Sequence, residues 1–487
     1  MLQESHNDLT LLADCRGYIG GRFVDSSGPV FDVCDPATGS VVATLSSYGA
    51  ADTEAAVNAA EDALTHPTSL DQRAKWLDAI VAGHAEHREQ LARIITLENG
   101  KPLSEALGEV DYAQSFYREA AMRVGELAPR TLERTPGNHS WTTHFRPAGV
   151  AGIITPWNFP LAMLAKKVSG AIAAGAPMVI KPAEITPLSC IALFRILDGI
   201  GMPAGMANLV FGDAPAIGKV MCEHPAVRVI SFTGSTGVGK LLSAQAAPFV
   251  KRMALELGGN APFIIFDDAN LEHAVEQLMQ NKFRSGGQTC VCTNRVYVQS
   301  SVAPKVVALV GERLRAIKLG PGIEPDTELG PLINVAGLKK VPELVTDAVK
   351  GGATAVVGGV TSGPDVAGTS FYPPTLLENV TADMRCVHEE IFGPVVPIIR
   401  FDNEDEVVRA ANASEYGLAA YLFSSDADRC ARIVAGLQFG HVAVNSGKGP
   451  TPEAPFGGMK QSGIGREGGL EGLLEFTEQQ TVATPLS

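Results

Sequence analysis

A thiol placed just after two glycines is the residue in this chain best suited to act as a nucleophile. It stands in Phe283-Arg284-Ser285-Gly286-Gly287-Gln288-Thr289-Cys290-Val291-Cys292. Gly286 and Gly287 allow backbone conformations that other residues avoid, and they let a substrate approach the chain closely. A cysteine beyond them can be an exposed nucleophile; the competing reading is a small buried hydrophobe. Two other groups bear on the choice. Glu256 lies in Ala254-Leu255-Glu256-Leu257-Gly258-Gly259-Asn260, an apolar run in which a charged acid is costly to bury. Either it turns outward or caps the Gly-Gly turn, or it is a carboxyl of raised pKa suited to general-base work. Asn158, locked between Trp157 and Phe159-Pro160, is a turn residue or an amide held to donate to an oxyanion.

A fourth motif concerns phosphate. Gly234-Ser-Thr-Gly-Val-Gly239-Lys240-Leu241 fits GxxxxGK and follows an apolar strand. A P-loop needs Ser or Thr next to hold magnesium, and Leu241 cannot do so. A P-loop nucleotide hydrolase is therefore a remote alternative. The other readings are a plain glycine turn, or a helix N-terminus facing a dinucleotide pyrophosphate through backbone N–H groups. GxGxxG is missing, so cofactor binding does not follow from spacing alone. No CxxC pair or HExxH occurs, and no metal site is expected.

The elements that must position these groups are α/β in pattern. Residues 17–45 read as short strands and turns, and 52–125 as helices, with Asp52 and Thr53 as caps and Trp76, Leu77, Ile80 and Val81 as a core stripe. Residues 139–147 alternate like a strand, with His139 and His144 exposed. From residue 148, strand, turn and helix repeat. Strands at Val150–Ile154, Met178–Ile180, Asn208–Phe211 and Val227–Phe232 imply a parallel sheet with right-handed crossovers. Ligands bind such sheets at the carboxyl ends of the strands. Lys181, Glu184, Gly212 and Ser235 all fall there. A second β/α block spans about 259–460, with strands such as Pro262–Phe266, Arg295–Val298, Ala355–Val357 and Val395–Ile399.

The 487 residues exceed one ordinary core, so two or three domains are expected. A net charge of −14 argues against nonspecific binding to nucleic acid or an anionic membrane surface. The N-terminal stretch carries Glu4, Asp8 and Asp14 and no long apolar core, unlike a secretory signal. The run Val168–Ile180 is broken by Gly170, Gly175 and Pro177 and is too short to span a bilayer. The eight scattered cysteines then read as reduced thiols in a cytoplasmic protein.

Pro156-Trp157-Asn158-Phe159-Pro160, Lys181-Pro182-Ala183-Glu184, Phe232-Thr233-Gly234-Ser235, Leu255-Glu256-Leu257-Gly258-Gly259, Gly287-Gln288-Thr289-Cys290, Glu390-Ile391-Phe392-Gly393-Pro394 and Pro455-Phe456-Gly457-Gly458 occur in this order. Together they resemble the NAD(P)-dependent aldehyde dehydrogenase family over nearly the full length. The resemblance implies a Rossmann-type NAD-binding domain (1–127 and 148–258), an α/β catalytic domain (259–467) and small oligomerisation strands (128–147 and 468–487). It implies homodimers or homotetramers. It makes Cys290 the nucleophile, Asn158 an oxyanion donor beside the Cys290 backbone N–H, and Glu256 the base that activates water against the thioester. Lys181 and Glu184 match contacts to the adenosine ribose, Ser235 a pyrophosphate contact, and Glu390 and Phe392 the nicotinamide ribose region. Ile154, Trp157, Gly212, Gly234 and Leu257 complete the implied cofactor set. A carboxylate at Glu184 would accept from a ribose 2′-hydroxyl and repel a 2′-phosphate, so NAD is expected over NADP.

Within the family, Phe283-Arg284 and Thr289-Cys290-Val291-Cys292 resemble succinate-semialdehyde dehydrogenases. Arg284 then matches the arginine that binds the substrate carboxylate, and Lys166 stands where that subgroup has a second arginine. Lys166 is a charge without a bidentate fork. The loop Asn445–Glu453 departs from the subgroup; Lys448 and Thr451 there are candidate substrate contacts. Glutarate semialdehyde, 2-oxoglutarate semialdehyde and a broad range of aldehydes stay open. The resemblance also implies a redox disulfide between Cys292 and Cys290, with plain packing as the other reading of Cys292.

Overall fold

The protein is seen here as a computed structural model that describes residues 9–133, 137–359 and 370–486. Five parallel strands form the centre of its first sheet. Across the sheet they run Ala207–Leu209, Met178–Lys181, Val150–Ile154, Val227–Thr233 and Arg252–Glu256. The chain thus starts in the middle, winds to one side, then returns and winds to the other. The reversal between Val150–Ile154 and Val227–Thr233 leaves a crevice at their carboxyl ends, where open α/β sheets take ligands. Val150–Ile154 is buried at every position, as the central strand of a doubly covered sheet should be. Its Ile153 and the neighbouring Ile230 are fully buried, each contributing on the order of 1.5–3 kcal/mol relative to exposure. Antiparallel edge strands close the sheet: Gly17–Ile19 with Arg22–Val24 on one side, Gly463–Ile464 on the other.

The second sheet runs Thr354–Val357, Thr375–Glu378, Val395–Phe401, Thr293–Gln299, Ala261–Ile265, Ala419–Phe423, His441–Val444. All neighbours are parallel except the antiparallel first pair. Alternate side chains feed two apolar clusters. Ile264, Tyr297 and Leu422 enter one, and Phe263, Val296 and Tyr421 the other, as the period of two requires. A third, antiparallel sheet joins Arg130–Thr131, His139–Pro147 and the tail Thr477–Pro485.

Local signals mostly act where the sequence places them, with small shifts. The first long helix is Ala50–Leu64, and its N-cap is Gly49, not Asp52 or Thr53. Asp52 works from the third helical position: its carboxylate accepts from the Gly49 N–H at 2.9 Å, which is half of a capping box. His139 is exposed, but His144 is half-buried. The helix Ala162–Ala174 is buried along its whole length, Lys166 and Lys167 included. Two ammonium groups inside an apolar helix need a counter-charge, and that need shapes the site.

Candidate active site

The turn that carries Cys290 is built from left-handed backbone. After the helix Leu271–Lys282, Ser285, Gly286 and Gly287 take φ of 51°, 64° and 73°. A Cβ on Gly287 would stand 2.4 Å from the Gly393 carbonyl oxygen, so only glycine fits. The Ser285 N–H donates to the Glu105 carboxylate at 2.7 Å. Gln288 pins the turn from inside: its amide donates to the Ser285 carbonyl (3.0 Å) and accepts from the Ile333 N–H (2.9 Å). The Asn158 side-chain NH2 donates to the Gln288 carbonyl at 3.0 Å. Asn158, which follows strand Val150–Ile154, is thereby joined to the cysteine turn of the second sheet.

Cys290 lies where two cavities meet. One, of about 350 Å³, is lined by Trp157, Asn158, Gly234, Ser235, Leu257, Glu390 and Phe392. The other, of about 20 Å³, is lined by Tyr112, Asn158, Phe159, Lys166, Arg284, Pro450 and Phe456. Among the described residues, only Asn158 and Cys290 border both. A larger cavity of about 660 Å³ lies between Leu9–Arg16 and Thr44–Tyr48 and shares no wall with these. Its Arg16 already pairs with Asp14 and Asp25, so the chemistry points to the smaller two.

The electrostatics centre on four groups. Glu256, at the end of strand Arg252–Glu256, is 4% exposed, and neither carboxylate oxygen has a hydrogen-bond partner among the described residues. Burial, then the nearby Glu467, push its pKa well above the ordinary carboxylate range, against the pull of Lys166 and Lys167. Glu467 goes the other way. Burial opposes its charge, but the Lys167 and Lys166 ammonium groups outweigh this and lower its pKa. Lys167 bonds Glu467 and the Ser231 hydroxyl, and the Lys166 ammonium lies 3.6 Å from the other Glu467 oxygen. Burial works against the Lys166 charge, but Tyr112, Glu467 and Cys290 together hold it protonated. Cys290 itself is pushed up to about 12 by burial, partly offset by Lys166. The resting thiol is therefore protonated near neutrality.

The wider cavity suits a dinucleotide. Ser235 caps the helix Thr236–Ala246, whose first turn carries no acid, so its positive end is free for an anion. A Cβ on Gly234 would stand 2.4 Å from the Phe232 ring. Glu390 accepts from the Gly259 N–H at 3.0 Å and is raised by burial to about 7. Trp157 and Phe392 meet edge to face, centroids 5.4 Å apart, with Phe392 at a φ of 56°. Ile154, Lys181 and Gly212 sit at or just beyond strand ends, outside the cavity wall. Lys181 is 5% exposed and ion-paired to Glu184, and a Cβ on Gly212 would collide with Ser47.

Of the sequence candidates for substrate contact, Arg284 and Lys166 reach the small cavity. The Arg284 guanidinium lies 5.0 Å from the Phe159 ring centroid. Lys448 and Thr451 line neither cavity. Both are exposed; the Lys448 carbonyl pairs with His441 at 3.0 Å, and Thr451 bonds Glu453. Pro450 is what their loop contributes. Cys292 is 6% exposed, and its thiol faces the carbonyls of Lys282 (3.5 Å) and Thr293 (3.4 Å). All eight cysteines are free. Sequence reasoning missed Lys167, Glu467, Tyr112 and Lys340, the last a wall of the wider cavity. The tandem Lys166-Lys167 in an otherwise apolar helix was the one available signal for the buried pair.

Comparison with known proteins identifies the family. The aldehyde dehydrogenase family profile matches residues 23–482. The chain is 44% identical to 3-sulfolactaldehyde dehydrogenase of Pseudomonas putida, over 95% of this chain and 95% of that one. It is 44% identical to the probable succinate-semialdehyde dehydrogenase [NADP(+)] of Sinorhizobium fredii, over 92% of each. A crystal structure of an oxidoreductase from Marinobacter aquaeolei superposes with a TM-score of 0.96 at 51% identity, covering 99% of this chain and 100% of that one. The chain belongs to the aldehyde dehydrogenase family, and its fold is the family's: Rossmann-like α/β plus a second α/β unit.

Proposed function

We propose that the chain oxidises a short aldehyde with a terminal anion, succinate semialdehyde foremost, to the carboxylic acid with NAD+. One observation carries the reading: Cys290 joins the cavity walled by Ser235, Glu390 and Phe392 to a small cavity walled by Arg284 and Lys166. The substrate anion pairs with Arg284 at the mouth of that cavity, and its carbonyl carbon reaches the Cys290 sulfur. The Cys290 proton passes to the ionised form of Glu256 and from there to solvent, and the sulfur attacks, forming a carbon–sulfur bond, while the carbonyl π electrons move to oxygen. The second N–H of the Asn158 amide and the Cys290 backbone N–H receive that oxyanion. When bound, the nicotinamide ring supplies the hydride acceptor. Glu256, buried and unpartnered, then takes a proton from the water that attacks the Cys290 thioester; the acid leaves and the thiol is restored.

The sulfolactaldehyde-oxidising relative supports a second reading, a terminal sulfonate at the same distance from the aldehyde. A P-loop hydrolase is set aside by family membership; Leu241, where a P-loop needs Ser or Thr, stands 56% exposed on its helix. The NAD preference rests on Glu184, beside Lys181 at the end of the second strand. The homo-oligomer reading rests on the sheet of His139–Pro147 and the tail, and the domain limits on the two sheets. No helix among the described residues is long and apolar enough to cross a membrane. The cytoplasmic reading rests on the eight scattered, free cysteines. A Cys290–Cys292 redox pair would require the Cys292 thiol to leave its two carbonyls.

The test is an aldehyde panel, matched in length, with a terminal carboxylate, sulfonate or methyl group, followed by NADH and NADPH formation. Anionic substrates should lead, NAD+ should outrun NADP+, and Arg284→Ala should erase the advantage of the anion. No advantage in the parent enzyme would sink the anion reading, and equal use of the two dinucleotides would sink the Glu184 argument.

A further inference from the structure

We infer that the buried pair Lys101–Glu109 is a positioning device that holds Asn158 in its donor geometry; the inference rests on the oxyanion reading of Asn158. The two side chains are 1% and 0% exposed, and their charges are 2.6 Å apart. Neither lines either of the two cavities at Cys290, so neither touches a substrate bound there. Their other bonds converge on one loop. The Lys101 ammonium donates to the Asn158 backbone carbonyl at 2.8 Å. It also stands 3.9 Å from the Phe159 ring centroid. Glu109 accepts from the Leu161 and Ala162 N–H groups at 2.9 and 3.2 Å, where the helix Ala162–Ala174 begins. The Asn99 side chain donates to the Trp157 carbonyl at 3.0 Å. Backbone groups of residues 157, 158, 161 and 162 are thus held by three polar side chains.

Local structure explains how Asn99 and Lys101 reach the same loop. Gly100 ends the helix Arg88–Asn99 in left-handed backbone at a φ of 87°. A Cβ there would stand 2.7 Å from Pro331. The reversal lets the residues on both sides of Gly100 bond the loop that follows Val150–Ile154. A buried ion pair adds little net stability over apolar residues of similar volume. Holding an oxyanion donor is a use that apolar residues cannot supply, and a shift of about 1 Å in such a group costs on the order of a hundredfold in rate.

The experiment compares Lys101→Met/Glu109→Gln with the parent, alone and with Asn158→Ala. The double change removes both charges together, and the amide carbonyl it leaves in place of the Glu109 carboxylate still accepts from the helix start. Thermal melting should stay near the parent, KM for the dinucleotide should hold, and kcat should fall ten- to a hundredfold. Added to Asn158→Ala, the pair should cost nothing further, because its effect passes through Asn158. A full, multiplicative loss on the Asn158→Ala background would overturn the proposal, as would parent-like kcat in a folded Lys101→Met/Glu109→Gln enzyme. Should this variant fail to fold, Lys101→Arg, which retains the charge and a donor, must hold kcat within about threefold. A loss beyond threefold that persists multiplicatively on Asn158→Ala also overturns the inference. Parent-like activity in Asn158→Ala alone would instead sink the oxyanion reading, and the two failures are distinct.

Discussion

The protonated state of Cys290 has a measurable consequence in the enzyme without dinucleotide. Burial pushes the thiol to about 12. At pH 8 about one molecule in ten thousand then carries the thiolate, against about a quarter for an ordinary thiol of pKa about 8.5. That fraction costs a few thousandfold in reaction with iodoacetamide. A more basic thiolate is intrinsically more nucleophilic, with a Brønsted slope of about 0.4–0.5, which returns about fortyfold. The net expectation is alkylation on the order of fiftyfold slower than a free-thiol reference, with the rate still rising about tenfold per unit between pH 7 and 10. Mass spectrometry of the peptide holding Cys290 separates it from exposed Cys34. Two variants fix the cause by sign. Lys166 pulls the thiol down and Glu256, once ionised, pushes it up, so Lys166→Met should slow alkylation throughout and Glu256→Gln should speed it at the alkaline end of the range. A plateau below pH 9, or the two variants shifting the rate in the same direction, would refute the reasoning.

Further outcomes follow from three neighbouring groups. Glu256→Gln should cut steady-state turnover by about a hundred- to ten-thousandfold as the water-activating base is lost, with the thioester trapped on Cys290 by acid quench. Because the Glu256 pKa is raised in the fold, the native state holds a proton that the unfolded chain releases. Its favourable contribution is full below the ordinary carboxylate range and falls as pH rises. Glu256→Gln should therefore melt higher than the parent at pH 8 and show less loss between pH 5 and 8. Glu390, raised to about 7, should lose its charge as pH falls below that value. Dinucleotide affinity, followed by fluorescence titration, should weaken between pH 8 and 6, and Glu390→Gln should show the weak value throughout. Gly287→Ala would drive a Cβ to 2.4 Å from the Gly393 carbonyl and demand a φ of 73°, so turnover should collapse while the dinucleotide still binds.

What could be read from sequence followed chain proximity. The parallel strands, the glycine turn before Cys290 and the strand-end position of Glu256 are each written in a few adjacent residues, because period, turn chemistry and apolar runs are local. The cap at Gly49 was missed because the Asp52 signal acts from three residues inside the helix. What stayed hidden joins distant segments. Glu467 is invisible as the partner of Lys167, 300 residues away, since neither carries a motif. Lys448 looked like a pocket cation because its loop is adjacent to the site. Only the fold shows that Pro450, not the charge, forms the wall.

The same distinction bears on how this site is charged. Arg284 and Lys166 look alike in sequence, two cations near a nucleophile, yet the structure divides their work. Lys166 is buried, with Glu467 at 3.6 Å and the Phe456 ring centroid at 4.8 Å. An ammonium so committed has little left to give a substrate anion, and its field falls on Cys290 and Glu256. Arg284 is exposed at the cavity mouth and reaches no carboxylate within salt-bridge distance among the described residues. Removing Arg284 should therefore raise KM for anionic aldehydes and leave uncharged ones alone. Removing Lys166 should lower kcat for both, because the group it serves is the thiol and not the substrate. A Lys166→Met enzyme that loses only its preference for anionic aldehydes would reverse this assignment.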